Sequence, residues 1–194
     1  MNELLKKIGE GHRAAVDGFL EQSGEQIVKL ARTCAAALEK NNKLIFCGNG
    51  GSACDAMHIA GEFVGRYVDD RRSLPALALS ADTGIITAIA NDYAYDYIFA
   101  RQVEGLGNSG DVLIALSTSG RSPNVLRALD AAKKKSITTV LFTGEKVKQG
   151  TLPVADFVLI APSLITAHVQ EAHMVAMHGL ASLIEAQLFP KISA

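Results

Sequence analysis

Five short apolar runs, separated mostly by stretches with helical spacing, constrain the fold of this chain more than any other feature. The runs cover residues 43–47, 74–79, 111–117, 137–142 and 157–160. The helical stretches cover residues 53–66, 83–90 and 123–135, and a longer one follows the last run at 166–188. Strands that alternate with helices form βαβ units. We therefore predict an α/β fold with a parallel sheet covered by helices on both faces.

The first 40 residues lie outside this alternation. They contain no proline and space their apolar residues at helical intervals, so we predict two helices there. The remaining segment, 41–194, is predicted as the α/β core. A length of 194 residues matches a single domain. The segments 68–73 and 144–151 concentrate charge, glycine and polarity, and we predict that they are exposed loops.

Charge and composition exclude several classes of protein. The net charge is −1, from 19 basic and 20 acidic residues, without the basic excess of a nucleic-acid binder. Three cysteines, Cys34, Cys47 and Cys54, lack CxxC spacing, which is typical of reduced thiols in a cytoplasm. Neither a signal peptide nor an apolar run long enough to span a membrane is recognisable. We therefore predict a soluble, cytoplasmic protein that binds a small molecule or a protein partner.

Two polar loops follow predicted strands at the sheet edge where open α/β proteins bind ligands. The glycine loop, residues 48–52, reads Gly48-Asn49-Gly50-Gly51-Ser52. The hydroxyl loop, residues 117–123, reads Ser117-Thr118-Ser119-Gly120-Arg121-Ser122-Pro123. Its four hydroxyl groups and the backbone N–H groups of the following helix converge on one spot, which suits a phosphate monoester. The structural alternative is that Ser119 or Ser122 only caps that helix.

The glycine loop also fits a permissive dinucleotide-binding fingerprint, Gly48-x-Gly50-x-x-Ala53. That fingerprint requires an acidic residue about 20 positions further on, at the end of the second strand. Here the acidic residue after the second strand is Asp82, which lies much farther along the chain. The second, hydroxyl-rich loop also argues against a dehydrogenase.

Histidines mark the helices that follow the first and the last strand. His58 and Glu62 are four residues apart and therefore share one helix face. A solvent-facing pair would explain them, but their proximity to the glycine loop favours a functional role. The segment TAHVQEAHMVAMHGL adds His168, His173 and His178, three of the five histidines of the chain. We expect at least one of these to be functional, and at least one of His168 and His173 to be a hydrogen-bonded core residue.

The residues now carry a family resemblance. The segments CGNGGSACDAMHIAGEFVGR, ANDY, RQVEGLGNSGDVLIALSTSGRSPNV and QEAHMVAMH occur in this order. They resemble the sequence blocks of the phosphoheptose isomerases, in the sugar-isomerase (SIS) domain superfamily, over nearly the whole chain. The resemblance implies a single SIS domain over residues 1–194. It also implies a three-layer αβα sandwich with a five-stranded parallel sheet of the flavodoxin type.

The same resemblance implies a function and a set of site residues. The reaction would be isomerisation of sedoheptulose 7-phosphate to D-glycero-D-manno-heptose 7-phosphate through an enediol, toward bacterial ADP-heptose and lipopolysaccharide, in a homotetramer with one zinc ion per subunit. Glu62 and His178 would be the acid–base pair. The metal ligands would be His58, Glu62, Gln170 and His178. The substrate would meet Asn49, Gly50, Gly51, Ser52, Glu62, Asn91, Asp92, Ser117, Thr118, Ser119, Ser122 and Gln170.

The sequence leaves two questions open. On an ideal helix, Gln170 and His178 are about 12 Å apart along the axis, and Glu171 suits the stripe of His178 as well as Gln170 does. Either the helix begins irregularly near Gln170 or a neighbouring subunit contributes to the site. The alternative function is that of a non-catalytic SIS adaptor that binds the replication initiator protein, and such an adaptor need not retain the acid–base pair.

Overall fold

The computed structural model describes residues 1–150 and 153–190. Its strands are β1 (Leu44–Gly48), β2 (Ala76–Ala78), β3 (Val112–Ser117), β4 (Thr138–Gly144) and β5 (Phe157–Ala161). Its α-helices are α1 (Asn2–Glu39), α2 (Gly51–Val64), α3 (Thr83–Asp92), α4 (Ala100–Leu106), α5 (Pro123–Lys134) and α6 (Thr166–Leu188). Two short 3₁₀ helices cover Tyr95–Tyr97 and Glu145–Gln149. All five predicted strands are present.

The strands form one parallel sheet in the order β2-β1-β3-β4-β5. The chain leaves β1 toward β2 on one side and reaches β3 on the other side, so the direction of winding reverses between β1 and β3. Their register pairs Leu44 with Val112 and Gly48 with Leu116. In such sheets a crevice opens beyond the carboxyl ends of the two strands at the reversal. The glycine loop follows β1 and the hydroxyl loop follows β3, so both lie at this crevice.

Helices cover the sheet on both faces because successive strand residues point in opposite directions. Phe46, Ile114 and Phe142 belong to a core shared with α1, α2 and α6. Ile45 and Leu113 belong to the core on the opposite face, which is shared with α4 and α5. The predicted three-layer α/β sandwich with a parallel five-stranded sheet is confirmed.

The two helices predicted for the first 40 residues are in fact one. α1 runs for 38 residues and packs against α6 and β5. Four glycines do not interrupt it, and two of them serve close packing, because a Cβ at Gly11 would collide with the ring of His168 and one at Gly18 would lie 3.0 Å from Pro162. The prediction of two helices was wrong because the spacing of apolar residues gives no information about the contacts with α6 and β5 that support one continuous helix.

The prediction of an exposed loop at 68–73 is wrong for Arg71. Its side chain is 3% exposed and donates from Nε to Glu185 Oε1 on α6 at 2.7 Å. Its Nη1 and Nη2 groups donate to the backbone oxygens of Phe63 and Glu62 at 2.8 and 2.7 Å. Arg71 thus ties the last turn of α2 to α6, and sequence periodicity carries no signal for such a contact.

The second predicted loop, 144–151, is partly ordered as a 3₁₀ helix with Val147 buried against Gly120; Thr151 lies outside the described residues. The helix α4 was not predicted, since seven residues are too few for a clear helical period. Among the helices that the structure describes, none combines the length and the apolar character needed to cross a membrane.

Candidate active site

The glycine loop bends sharply from β1 into α2. An added Cβ at Gly48 would lie 2.5 Å from the backbone oxygen of Ser52, so the first turn of α2 approaches the end of β1 too closely for a side chain. Gly50 has φ of 56°, a conformation that favours glycine. Ser52 is 3% exposed and lies in the first turn of α2. These residues therefore bring the backbone of the loop close to the crevice.

The hydroxyl loop turns from β3 into α5. Gly120 has φ of 66°, which lets the loop fold back so that Gly120 N donates to Ser117 O at 2.9 Å. Ser122 is the N-cap residue of α5, yet its hydroxyl is hydrogen-bonded to Ser117 Oγ at 3.0 Å. Ser119 Oγ accepts from Arg121 N at 3.2 Å. In the described chain, neither Ser119 nor Ser122 caps α5 with its side chain, so simple capping does not account for these hydroxyls.

A pair of amide side chains joins the two loops. Asn49 and Asn124 each donate from Nδ2 to the Oδ1 atom of the other, at 2.9 and 2.8 Å. Tyr95 also donates from its hydroxyl to Asn49 Oδ1 at 3.1 Å. Sequence reasoning missed Asn124 and Tyr95. The signal that could have found Asn124 is its place directly after the hydroxyl loop, in the first turn of α5.

His58, Glu62 and His178 form a cluster, here named the His–Glu–His cluster, in which one ligand atom from each lies within 4.8 Å of the others. His58 Nε2 is 3.0 Å from His178 Nε2 and 3.4 Å from Glu62 Oε1. The ring of Tyr67, which sequence reasoning also missed, stacks on His178 at a centroid distance of 5.5 Å. Two imidazole nitrogens and a carboxylate oxygen are ligands that Zn²⁺ prefers. The structure therefore brings together three of the four predicted metal ligands within one chain.

Gln170 and Glu171 have separate partners on neighbouring helices. Gln170 Nε2 donates to Ser52 Oγ at 3.5 Å, so its amide lies at the start of α2, beside the glycine loop. Glu171 Oε2 lies 2.7 Å from His12 Nδ1, so its carboxylate is paired with α1. Both residues belong to the regular helix α6, so the proposed irregular start of this helix is wrong. The structure places Gln170 toward the glycine loop and His178 toward His58.

Asn91 and Asp92 lie at the exposed end of α3. Asn91 Nδ2 donates to Asp92 Oδ1 at 2.8 Å. Within the described residues, neither side chain is hydrogen-bonded to the glycine loop or the hydroxyl loop. Their predicted contact with the sugar thus has no counterpart in the hydrogen bonds of a single chain and stays a prediction.

Burial shifts the pKa of two titratable groups on α2 and α6, the partly buried Asp55 and the buried His173. Burial raises the pKa of Asp55, and the nearby His58 opposes this effect. Asp55 Oδ2 is buried and has no hydrogen-bond partner among the described residues. Burial lowers the pKa of His173 from 6.5 to about 4, and the hydrogen bond between its Nε2 and Thr143 O only partly opposes this shift. His173 is thus a neutral core residue between aromatic rings, and His168 is also buried.

Comparison with known proteins identifies the family. The family model of the SIS domain matches residues 10–144. A phosphoheptose isomerase of Bradyrhizobium sp. (strain ORS 278) is 49% identical over 187 residues, which are 96% of this chain and 92% of that relative. The chain belongs to the phosphoheptose isomerase family. A further member of the phosphoheptose isomerase family, from Burkholderia pseudomallei (strain 1710b), is 49% identical over 85% of this chain and 83% of its own length.

A solved phosphoheptose isomerase has the same fold. The structure from Neisseria gonorrhoeae superposes with a TM-score of 0.85 at 36% identity, covering 95% of this chain and 98% of that chain. The resemblance noted from the sequence blocks is thereby confirmed. The protein is an isomerase of the SIS domain type.

Proposed function

We propose that this protein isomerises sedoheptulose 7-phosphate to D-glycero-D-manno-heptose 7-phosphate through an enediol. The substrate class follows from the names of the relatives. The observation that carries the proposal is the His–Glu–His cluster, on helices that also border the glycine loop. An aldose–ketose isomerisation moves a proton between C1 and C2, so it needs a base at carbon and an acid at oxygen. A carboxylate and an imidazole in one cluster supply both groups.

Each group of residues takes a role in this scheme. Glu62 removes the proton from carbon, and His178 exchanges a proton with the substrate oxygen. The phosphate binds the hydroxyl loop through Ser117, Thr118, Ser119 and Ser122, where the first N–H groups of α5 favour an anion. The sugar chain meets Asn49, Gly50, Gly51, Ser52, Asn91, Asp92 and Gln170. The hydroxyls of the loop and the backbone of the glycine loop flank one crevice, which supports this division of roles.

We further propose that one Zn²⁺ per subunit is held by His58, Glu62, Gln170 and His178. Three of these residues fit a zinc site because their ligand atoms lie within 4.8 Å of one another: His58, Glu62 and His178. Gln170 is included on family resemblance. When bound, zinc would act as a Lewis acid that stabilises negative charge on a substrate oxygen. Proton removal from carbon remains the task of Glu62.

The wider setting of the proposed reaction is the cytoplasmic supply of ADP-heptose for bacterial lipopolysaccharide, in a homotetramer. The three cysteines are free thiols, which supports a reducing compartment. Leu4, Leu5 and Ile8 on α1 are 64%, 63% and 46% exposed, and such an apolar surface supports burial against other subunits. The relatives described above are isomerases, which favours catalysis over the adaptor function.

Turnover of sedoheptulose 7-phosphate by the purified protein tests the proposal, and Glu62→Gln tests the base. The variant keeps the shape of the side chain but cannot accept the proton, so kcat should fall by about 10²- to 10⁴-fold. Incubation in D₂O should then show little deuterium entering at C1, because this exchange reports proton removal itself. Absence of turnover by the unmodified protein would refute the substrate. Unchanged exchange in the variant would move the base elsewhere, first to His178.

A further inference from the structure

The Asn49–Asn124 pair uses nearly all the hydrogen-bonding capacity of both amides. A side-chain amide offers two N–H donors and one oxygen with two lone pairs. Asn49 Oδ1 accepts from Asn124 Nδ2 and from the Tyr95 hydroxyl, at 2.8 and 3.1 Å. Asn124 Oδ1 accepts from Asn49 Nδ2 and from Val125 N, both at 2.9 Å. Both oxygens are therefore saturated, and each nitrogen retains one N–H.

The backbone of α5 fixes the orientation of this pair. The Val125 N–H can only face an oxygen, so it determines which end of the Asn124 amide lies on α5. With Asn124 Oδ1 held by Val125 N, Asn49 must direct Nδ2 at Asn124 Oδ1 and Oδ1 at Asn124 Nδ2. Asn124 is 2% exposed, whereas Asn49 is half-buried. Of the two remaining N–H groups, the one on Asn49 is thus the one accessible from the crevice.

We infer that Asn124 is a positioning residue that acts through Asn49. It holds the Asn49 amide so that a single N–H donor faces the sugar chain, and it fixes the glycine loop relative to the hydroxyl loop. Tyr95 assists by occupying the second lone pair of Asn49 Oδ1. This inference rests on the proposed function, because it takes Asn49 as a residue that meets the sugar. It predicts that Asn49 contacts a substrate oxygen as a donor and accepts no hydrogen bond from a substrate hydroxyl.

A double-mutant cycle on kcat/KM for sedoheptulose 7-phosphate tests the inference. Asn124→Ser is uncharged and removes both bonds to Asn49, while Val125 N keeps its bond to Ser122 O. We expect kcat/KM to fall about tenfold, as for loss of an oriented hydrogen bond. In an Asn49→Ala background the same change should lower kcat/KM by less than about twofold, since its target is gone. A full tenfold loss in that background, or none in the natural one, would overturn the inference.

Tyr95→Phe provides a second variant that should fold normally, because the side chain is 56% exposed. It removes one of the two donors to Asn49 Oδ1, and we expect a loss of about threefold in kcat/KM. Tyr93→Phe is the matched control. The Tyr93 ring, 59% exposed, contacts Arg101, and among the described residues its hydroxyl makes no hydrogen bond. Equal effects of the two substitutions would contradict the role of Tyr95.

Two further measurements separate positioning from general damage and from failure of the proposed function. The inhibition constant of inorganic phosphate, which the proposed function assigns to the hydroxyl loop, should stay within about twofold in Asn124→Ser. A large increase would mean that the hydroxyl loop itself had collapsed, which would overturn a role exerted through Asn49. A crystal structure of Asn124→Ser should show the Asn49 amide displaced or rotated. An unmoved Asn49 would refute the inference whether or not the protein turns over a sugar phosphate.

Discussion

At the scale of single residues, the contact between His58 and His178 limits which protonation states the two rings can have. Their Nε2 atoms are 3.0 Å apart, so without a metal ion one ring must donate and the other accept. A metal ion bound by both Nε2 atoms would replace this hydrogen bond, and the ring that donates it would then carry its proton on Nδ1, because a ligating nitrogen must be unprotonated. The arrangement therefore suits a site whose two imidazoles have one common partner.

Removal of one ligand should lower the zinc content of the protein. His58→Ala deletes a nitrogen ligand from the His–Glu–His cluster, and we expect the zinc found in purified protein to fall from about one per chain to a small fraction of that. His12→Ala is the matched control, since His12 pairs with Glu171, which is not a member of the His–Glu–His cluster, and should leave the zinc content unchanged. Elemental analysis of both variants measures this. Equal zinc in the His58 variant and the unmodified protein would contradict the ligand role.

Sequence reasoning found the site residues whose side chains are typical metal ligands or proton carriers. It missed the residues whose proposed role depends on contacts with distant parts of the chain. His58 and Glu62 were predicted because their spacing alone puts them on one face. Asn124 was missed because its role depends on the approach of Asn49 from a loop 75 residues earlier. The choice between Gln170 and Glu171 could not be made from periodicity either. It depends on α1, which supplies His12 as the partner of Glu171.

At the scale of elements, the start of α2 depends on how closely it follows β1. Gly48 lies under the first turn of α2, and the atoms nearest to an added Cβ belong to Ser52, including its backbone oxygen and carbon at 2.5 and 2.8 Å. A backbone cannot yield as a flexible side chain does. The direction of α2, and with it the placement of His58 and Glu62, is therefore set by the missing side chain at Gly48.

Gly48→Ala should therefore lower both stability and activity. We expect the free energy of unfolding to fall by about 1–3 kcal/mol, since overpacking forces a backbone shift, and kcat/KM to fall because α2 carries the cluster. Gly61→Ala is the control within the same helix, because an added Cβ there meets no atom within 4 Å. Alanine at an unstrained helical position should be neutral or stabilise by up to about 1 kcal/mol. Urea unfolding measures the free energy of unfolding of both variants. Similar losses of that free energy in the two would contradict the role assigned to Gly48.

The elements themselves were largely predictable from the chain. Helix α6 was predicted with the bounds that the structure has, because the stretch is long and its apolar residues recur at helical intervals. The predictions failed where contacts with distant parts of the chain determine the local structure. α1 was divided in two although α6 and β5 support it as a single helix, and Arg71 was placed in an exposed loop although Glu185 binds it.

At the scale of the whole molecule, His173 links stability to pH. It lies in the core between the rings of Phe19 and Phe142, at 6.0 and 5.6 Å, and its Nε2 faces Thr143 O. Its pKa is about 4 in the folded protein, against 6.5 ordinarily. Between pH 6.5 and about 4, the histidine therefore binds a proton in the unfolded chain but not in the folded one. The corresponding stability is fully present above pH 6.5 and is lost as the pH falls toward 4.

His173→Gln should remove this part of the pH dependence. Glutamine keeps an N–H donor for Thr143 O but does not titrate. The unmodified protein should lose about 1.4 kcal/mol of unfolding free energy per pH unit from this group at pH values well below the ordinary pKa, and the variant should not. Urea unfolding at pH 7, 6 and 5 gives the difference between the two slopes. Parallel pH curves would show that folding does not lower the pKa of His173.

The packing of α1 on α6 also determines when the site can form during synthesis. α1 leaves the ribosome before α6, the helix that covers it and supplies His178, which follows more than 120 residues later. Until then the apolar face of α1 is uncovered, and His58 and Glu62 lack their third partner. Chains are made at about 5–20 residues per second, so a nascent chain stays in this state for roughly ten seconds. Formation of the His–Glu–His cluster and closure of the core are thus late, coupled events, and a ribosome that stalls before α6 presents a chain with neither.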